Sequence, residues 1–303
     1  MQSRPPSPWL VALVGLTGIL AATASAAGIL LRGDLATRQF TTIRGDAVDY
    51  LTDGAYRFNG INMASEGIGW DLVTLLVIVP AVALTLPSLL QGTLRATLLS
   101  AGFLVYFLYQ YAEYAVGLAY GPLFPVYVGI IALSVSALAL LLSRVDVQDL
   151  PEQFGPHFPR RPMVAFGLYM AILLGGMWLP LVAGTLTDAS VPQLFGGTTL
   201  VVQAFDLGFL VPLGLFTAVT VYRRLPVGHL LSAVVIVKGA SIALGIVAML
   251  VVEWLTTGEP QLPPIVIFSL TSVAGLAIAV RIYRGIDTRS TAPIGPGASP
   301  VTA

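Results

Sequence analysis

The polar side chains that could do chemistry in this chain are few, and they sit in apolar sequence. Lys238 is the only lysine and lies in the middle of the run Leu230–Leu250, beside Gly239. An ammonium near the centre of a membrane helix costs about 3 kcal/mol on insertion scales, so it calls for a polar interior and a partner. Asp206, Glu113 and Asp71 are acids inside or at the end of other apolar runs, accompanied by Gln203, Gln110, Tyr106, Tyr109, Tyr111 and Tyr114. Tyr106, Gln110 and Glu113 share one helical face by i, i+4, i+7 spacing. That face could line a polar cavity in which Lys238 holds a small anionic solute or alternates with a proton at Asp206. The eight candidate ligand or ion-binding residues are therefore Lys238, Asp206, Glu113, Asp71, Tyr109, Gln110, Tyr106 and Gln203.

Composition removes other chemistries. Cysteine is absent, which excludes disulfides, thiolate catalysis, iron–sulfur clusters and cysteine zinc sites. The two histidines, His157 and His229, lie in a Pro-rich segment and at the edge of an apolar run. Neither a bis-histidine haem spanning two helices nor an intramembrane Ser–His–Asp triad is available. No catalytic residue, metal site or cofactor is expected, and an enzyme would rest on carboxylate and tyrosine chemistry that no motif supports. The formal net charge is zero, so nucleic acid is not an implied partner.

These residues need apolar helices to carry them. The 303 residues are 56% hydrophobic and 10% charged, where a soluble domain carries about 25% charged. The expected fold class is all-α, a polytopic transmembrane bundle in contact with the lipid bilayer. A spanning helix takes about 20 mostly apolar residues. Eight runs qualify: Trp9–Leu31, Trp70–Leu90, Leu94–Leu118, Leu123–Leu142, Met163–Leu186, Leu200–Tyr222, Val227–Leu255 and Ile265–Tyr283. The first resembles a signal peptide around Ala24-Ser25-Ala26 but continues to Leu31, beyond the usual h-region of about 7–15 residues. It is expected to be retained.

Arginines at 95, 144, 160, 161, 223, 224, 281, 284 and 289 occupy alternate connections. The positive-inside rule makes those connections cytoplasmic and, with eight spans, puts both termini inside. The loop 32–66 is then outside, despite four arginines that its acids balance. Counting helical rise from the inner ends, Lys238 lies about 18 Å deep, Asp206 about 24 Å, and Asp71 and Glu113 about 28 Å. Asp206 is the nearest expected partner of Lys238, and Glu253 is interfacial.

The chain reads as one membrane domain, 1–287, with an outer loop 32–66, a cytoplasmic linker 143–162 and a disordered Pro/Gly/Ser tail 288–303. A short amphipathic helix is expected near Asp46–Tyr56, turns at the two Arg-Gly-Asp triplets, and no helix in the Pro-rich stretch Pro151–Pro162. Segments Pro122–Asp146 and Pro263–Asp287 match in length and ends, and Asp71 and Asp206 each precede a proline. A parallel repeat of spans 1–4 and 5–8 would account for this. Small-residue stripes such as Gly18/Ala22/Ala26, Gly239/Ala243, Ser241/Gly245 and Gly275/Ala279 allow close helix contact, within the chain or in an oligomer.

The set Asp71-Leu-Val-Thr-Leu-Leu, Tyr109-x-Tyr111-x-x-Tyr114, Pro122-Leu-Phe, Asp206-Leu-x-x-x-x-Pro212 and Val237-Lys-Gly239 resembles a family of uncharacterised prokaryotic polytopic membrane proteins, over about residues 67–250. The resemblance implies a bundle of about eight helices in a prokaryotic cytoplasmic membrane and carries no activity. Two functional classes stay open. One is a binding or transport protein with an outward-facing cavity; the other is a structural or assembly subunit in which Lys238–Asp206 is a helix-locking ion pair. A retinal-type chromophore on Lys238 is a remote third, disfavoured because Trp9, Trp70, Trp178 and Trp254 lie toward span ends or on other helices.

Overall fold

Every one of the eight apolar runs folds as a helix, because backbone groups withdrawn from water must be satisfied within their own segment. The computed structural model describes residues 7–186, 194 and 196–286. Its long helices are α1 (Pro8–Leu30), α2 (Ile61–Leu90), α3 (Leu94–Gly117), α4 (Phe124–Leu142), α5 (Arg160–Leu186), α6 (Val201–Tyr222), α7 (Pro226–Thr257) and α8 (Leu262–Gly285). Seven of them, all but α3, are long and apolar enough to cross a membrane. The 24 residues of α3 fall short because tyrosines, Gln110 and Glu113 crowd its second half. Asp287, Arg289 and the tail 288–303 lie outside the described residues.

Three local expectations change. Helix α2 starts at Ile61, well before Trp70, since Ala64, Ser65 and Ile68 already form a buried helical face. Asp71 is therefore inside a helix rather than at an exposed start. The expected amphipathic helix is instead an antiparallel hairpin, β1 (Thr37–Thr41) and β2 (Ala47–Leu51), in the register Thr37↔Leu51 and Phe40↔Val48. Thr, Val, Phe and Tyr in alternation suit a pleated strand, and Gly45 supplies the positive φ of +90° at the turn. Both Arg-Gly-Asp triplets do fall in turns. Finally, the Pro-rich stretch holds one helical turn, Leu150–Gln153, and the first residues of α5. Pro151 and Pro162 sit in first turns, where the missing N–H has no intrahelical partner to lose.

Two helices carry a wide π turn, Thr74–Ile78 in α2 and Asp206–Leu210 in α6. In each, the residue before a proline donates its N–H five residues back, Val79 to Thr74 O and Val211 to Asp206 O. Thr74 to Asp206, Pro80 to Pro212 and the helix starts Leu94 to Pro226 are all the same shift of 132 residues. Packing follows the shift. α3 lies on α4 as α7 lies on α8, α2 on α3 as α6 on α7, and the start of α2 meets α7 as the start of α6 meets α3.

Helix α7 is the hub, packed against α2, α3, α6 and α8. Glycines set its approach distances. A Cβ at Gly69 would overlap the Met249 backbone, one at Gly245 would overlap the Trp70 ring, and one at Gly275 would press on Ala240. The small-residue stripes are thus used inside the chain. Gly69→Val should lower stability by at least about 2 kcal/mol, because backbone cannot yield as a side chain can. Gly176→Ala, with nothing within 4 Å, should be neutral or stabilising by up to about 1 kcal/mol. Unfolding midpoints of the detergent-solubilised variants check both.

Candidate functional site

Lys238 is 1% exposed, and its Nζ has no hydrogen-bond partner. The ammonium lies instead against aromatic faces. Its Nζ is 3.8 Å from the Tyr109 ring centroid and 5.3 Å from those of Trp70 and Tyr106. A desolvated cation–π contact contributes about 2 kcal/mol, so one close ring and two distant ones offset most of the insertion cost of about 3 kcal/mol. Gly245 makes this cage possible by giving the Trp70 ring its seat on α7.

The expected direct contact of Lys238 with Asp206 is not made. Asp206 accepts from Tyr109 Oη at 2.5 Å and from Trp178 Nε1 at 2.7 Å. Two strong donors satisfy the carboxylate where the π turn of α6 aims it at α3 and α5. Tyr109 consequently separates the charges, with its ring under the ammonium and its hydroxyl on the carboxylate.

A cavity of about 500 Å³ lies beside this arrangement, between α2, α3, α5, α6 and α7. It runs toward the hairpin end of the bundle, where Met63, Gly117 and Leu200 reach it. Its polar wall includes Glu66, Gln110, Glu113, Gln203 and Asp206, with Thr198 and Thr199, and Trp70, Tyr109, Tyr114 and Trp178 supply aromatic surface. Among the described residues no Lys, Arg or His lines it. Lys238 lies behind the wall, so the expected anionic solute meets no basic group there. Gln110 Oε1 and Glu113 Oε1 are buried without hydrogen-bond partners.

Of the eight candidate residues, Gln110, Glu113, Tyr109, Gln203 and Asp206 thus come together on the wall. Tyr106 stands behind it, its hydroxyl 2.7 Å from Thr74 Oγ1 and its ring under Lys238. Asp71 lies apart. It accepts from Tyr56 Oη and, at 3.5 Å, from Tyr114 Oη. Nearby, Ser25 Oγ of α1 is 3.2 Å from Tyr111 Oη. Burial, and then the Asp71 charge, push the Tyr56 phenol well above its ordinary range, so it stays a donor. Glu253 accepts from Asn62 and Gln261 near the end of α7.

Sequence reading missed Glu66, Trp178 and Tyr56. Glu66 reads as a loop residue in the sequence because the start of α2 lacks the uninterrupted apolar run. Trp178 was legible by depth: counted from Arg160 it lies about 27 Å along α5, close to Asp206. Tyr56 carries no such signal. The 132-residue register was also present, since Leu98-Leu99-Ser100-Ala101 recurs as Leu230-Leu231-Ser232-Ala233. It aligns Asp206 with Thr74 and Lys238 with Tyr106, not Asp206 with Asp71.

Tyr109→Phe keeps the ring and removes the bond to Asp206, which should cost about 1–3 kcal/mol. Tyr109→Leu should cost more, because the ammonium loses its face. In a Lys238→Met background the gap between Phe and Leu should shrink by about 1 kcal/mol. Unfolding titrations of the four proteins measure it; an unchanged gap would detach ring from cation.

No family model, curated protein or solved structure matches the chain. The apolar helices make it a multi-pass integral membrane protein.

Proposed function

We propose that this protein has eight spans in a prokaryotic cytoplasmic membrane, with both termini inside, and binds or transports a small solute through the cavity, which opens outward. One observation carries the reading. Buried polar atoms are almost always paired, yet Gln110 Oε1 and Glu113 Oε1 are unpaired, on residues that line a cavity sized for a small molecule. A core built only to hold helices together would be filled and satisfied there. The rival, a helix-locking Lys238–Asp206 pair, lacks its direct contact, since the ammonium bonds to nothing.

Orientation is supported by charge. Arg95, Arg144, Arg160, Arg161, Arg223, Arg224, Arg281 and Arg284 all lie at or near the helix ends opposite the hairpin, which the positive-inside rule makes cytoplasmic. α3 is the eighth span. Its polar half faces the cavity and other helices instead of lipid, as intramembrane polar groups do. The shared register and packing of α1–α4 and α5–α8 support a parallel duplication, whose halves could rock against each other about α3 and α7.

A chain without cysteine is ready for accessibility mapping. Single substitutions Leu200→Cys at the rim and Ile246→Cys inside the cavity should react with a membrane-impermeant thiol reagent added to intact cells. Ser143→Cys, at the inner end of α4, should react only after permeabilisation. Reaction of the first two only from inside, or not at all, would end the outward-cavity reading.

A further inference from the structure

We infer that the cavity is a site for an organic ammonium ion with an apolar body, held by Glu113, Gln110 and Asp206 and flanked by Trp70, Tyr109, Tyr114 and Trp178. The inference rests on the cavity reading above and names its ligand class. It begins with what the wall lacks. Gln110 and Glu113 line it on side chains 2% and 9% exposed, and Gln110 Oε1 and Glu113 Oε1 lie beneath its surface without hydrogen-bond partners. A carboxyl group on the wall is completed by a donor, so a ligand at Glu113 brings N–H or O–H groups.

Charge narrows the donor to a cation. The wall holds three carboxyl groups, Glu66, Glu113 and Asp206, and among the described residues no basic group. Lys238 acts on Glu113 and Asp206 through space but forms no hydrogen bond with either. Its Nζ is bonded to nothing and rests on three rings behind the wall. Trp70 and Tyr109 each present one surface to the cavity while contacting the ammonium within the bundle, and ring faces attract cations. The protein's own buried ammonium therefore displays, a few ångströms away, the kind of contact a ligand ammonium would make.

The remaining wall sets the body of the ligand. Leu174, Leu181, Ile242, Ile246 and Met249 are apolar, and among the described residues no three His, Cys, Asp or Glu side chains are grouped to hold a metal ion. A few polar groups among apolar and aromatic surface is the usual form of an organic-ligand pocket.

The probes are phenethylammonium and its carboxylate counterpart of similar size, 3-phenylpropionate, acting on the full chain carrying Ile246→Cys. Thiol labelling from outside is followed with a trimethylammonium and a sulfonate methanethiosulfonate, each rate normalised to 2-mercaptoethanol. The cationic reagent should react about tenfold faster than the anionic one, as a carboxylate-lined cleft concentrates cations. Saturating phenethylammonium should slow labelling about tenfold, whereas 3-phenylpropionate should not. Glu113→Gln should reduce both effects. The protection experiment stands without that variant, should it fail to fold. Equal normalised rates, protection by the carboxylate, or no protection by the amine would each overturn the ammonium site while leaving the cavity in place. Failure of both reagents to reach Ile246→Cys from outside would instead remove the cavity reading, and this inference with it.

Discussion

The structure depends on one side chain used at both ends. Tyr109 carries the only lysine on its ring and Asp206 on its hydroxyl. A direct Lys–Asp contact would neutralise both groups and fix two helices, but it would also take both out of further use. With the phenol between them, each charge has its own local contacts, while Glu113 and Asp206 still act on the ammonium through space. The carboxylate has two hydrogen bonds, and the ammonium has aromatic faces. A buried cation and anion can then stand on opposite sides of a ring, with the anion on a cavity wall.

That arrangement dictates much of the helix packing. Trp70 must reach over α7 to cover the ammonium, so α2 and α7 approach until only glycine fits at positions 69 and 245. Tyr106 must face α2 with its hydroxyl and α7 with its ring, which ties α3 to both. The π turn in α6 aims Asp206 at the donors from α3 and α5. Hydrogen-bonded side chains on four helices therefore converge on one small volume, and the cavity is its open side.

The helices were legible because apolar length is a local property, and each of the eight runs lies in a helix. Residue types in the site were legible too, since a lysine or acid in apolar sequence is conspicuous wherever it points. Pairing was not. Depth counting placed Lys238 and Asp206 within reach, but depth says nothing of which ring lies between them. Strand formation at 37–51 was hidden by a polar loop composition that hides weak alternation. Asp71 looked equivalent to Asp206 because each precedes a proline, and only the register of the π turns separates them: Thr74 is the counterpart of Asp206.

On the proposed duplication, that register also accounts for where the cavity lies. In the first half Thr74 meets Tyr106 in a neutral hydroxyl pair; at the matching positions the second half carries Asp206 and Lys238. Two ions cannot simply replace two hydroxyls at that depth without further donors and rings, and Trp178, Tyr109 and Trp70 supply them. The outer arms differ as well. The arm of α2 runs from Ile61 to Pro80 and packs through Gly69 onto the α7 backbone, whereas the arm of α6 begins only at Val201 before Pro212. It is shorter by about two turns. Against α3, where a longer arm would have filled the space, Glu113 and Gln110 are left facing a void. The charged pair and the void belong to the same divergent half, so the change that introduced ions also stands beside the change that made room for a solute.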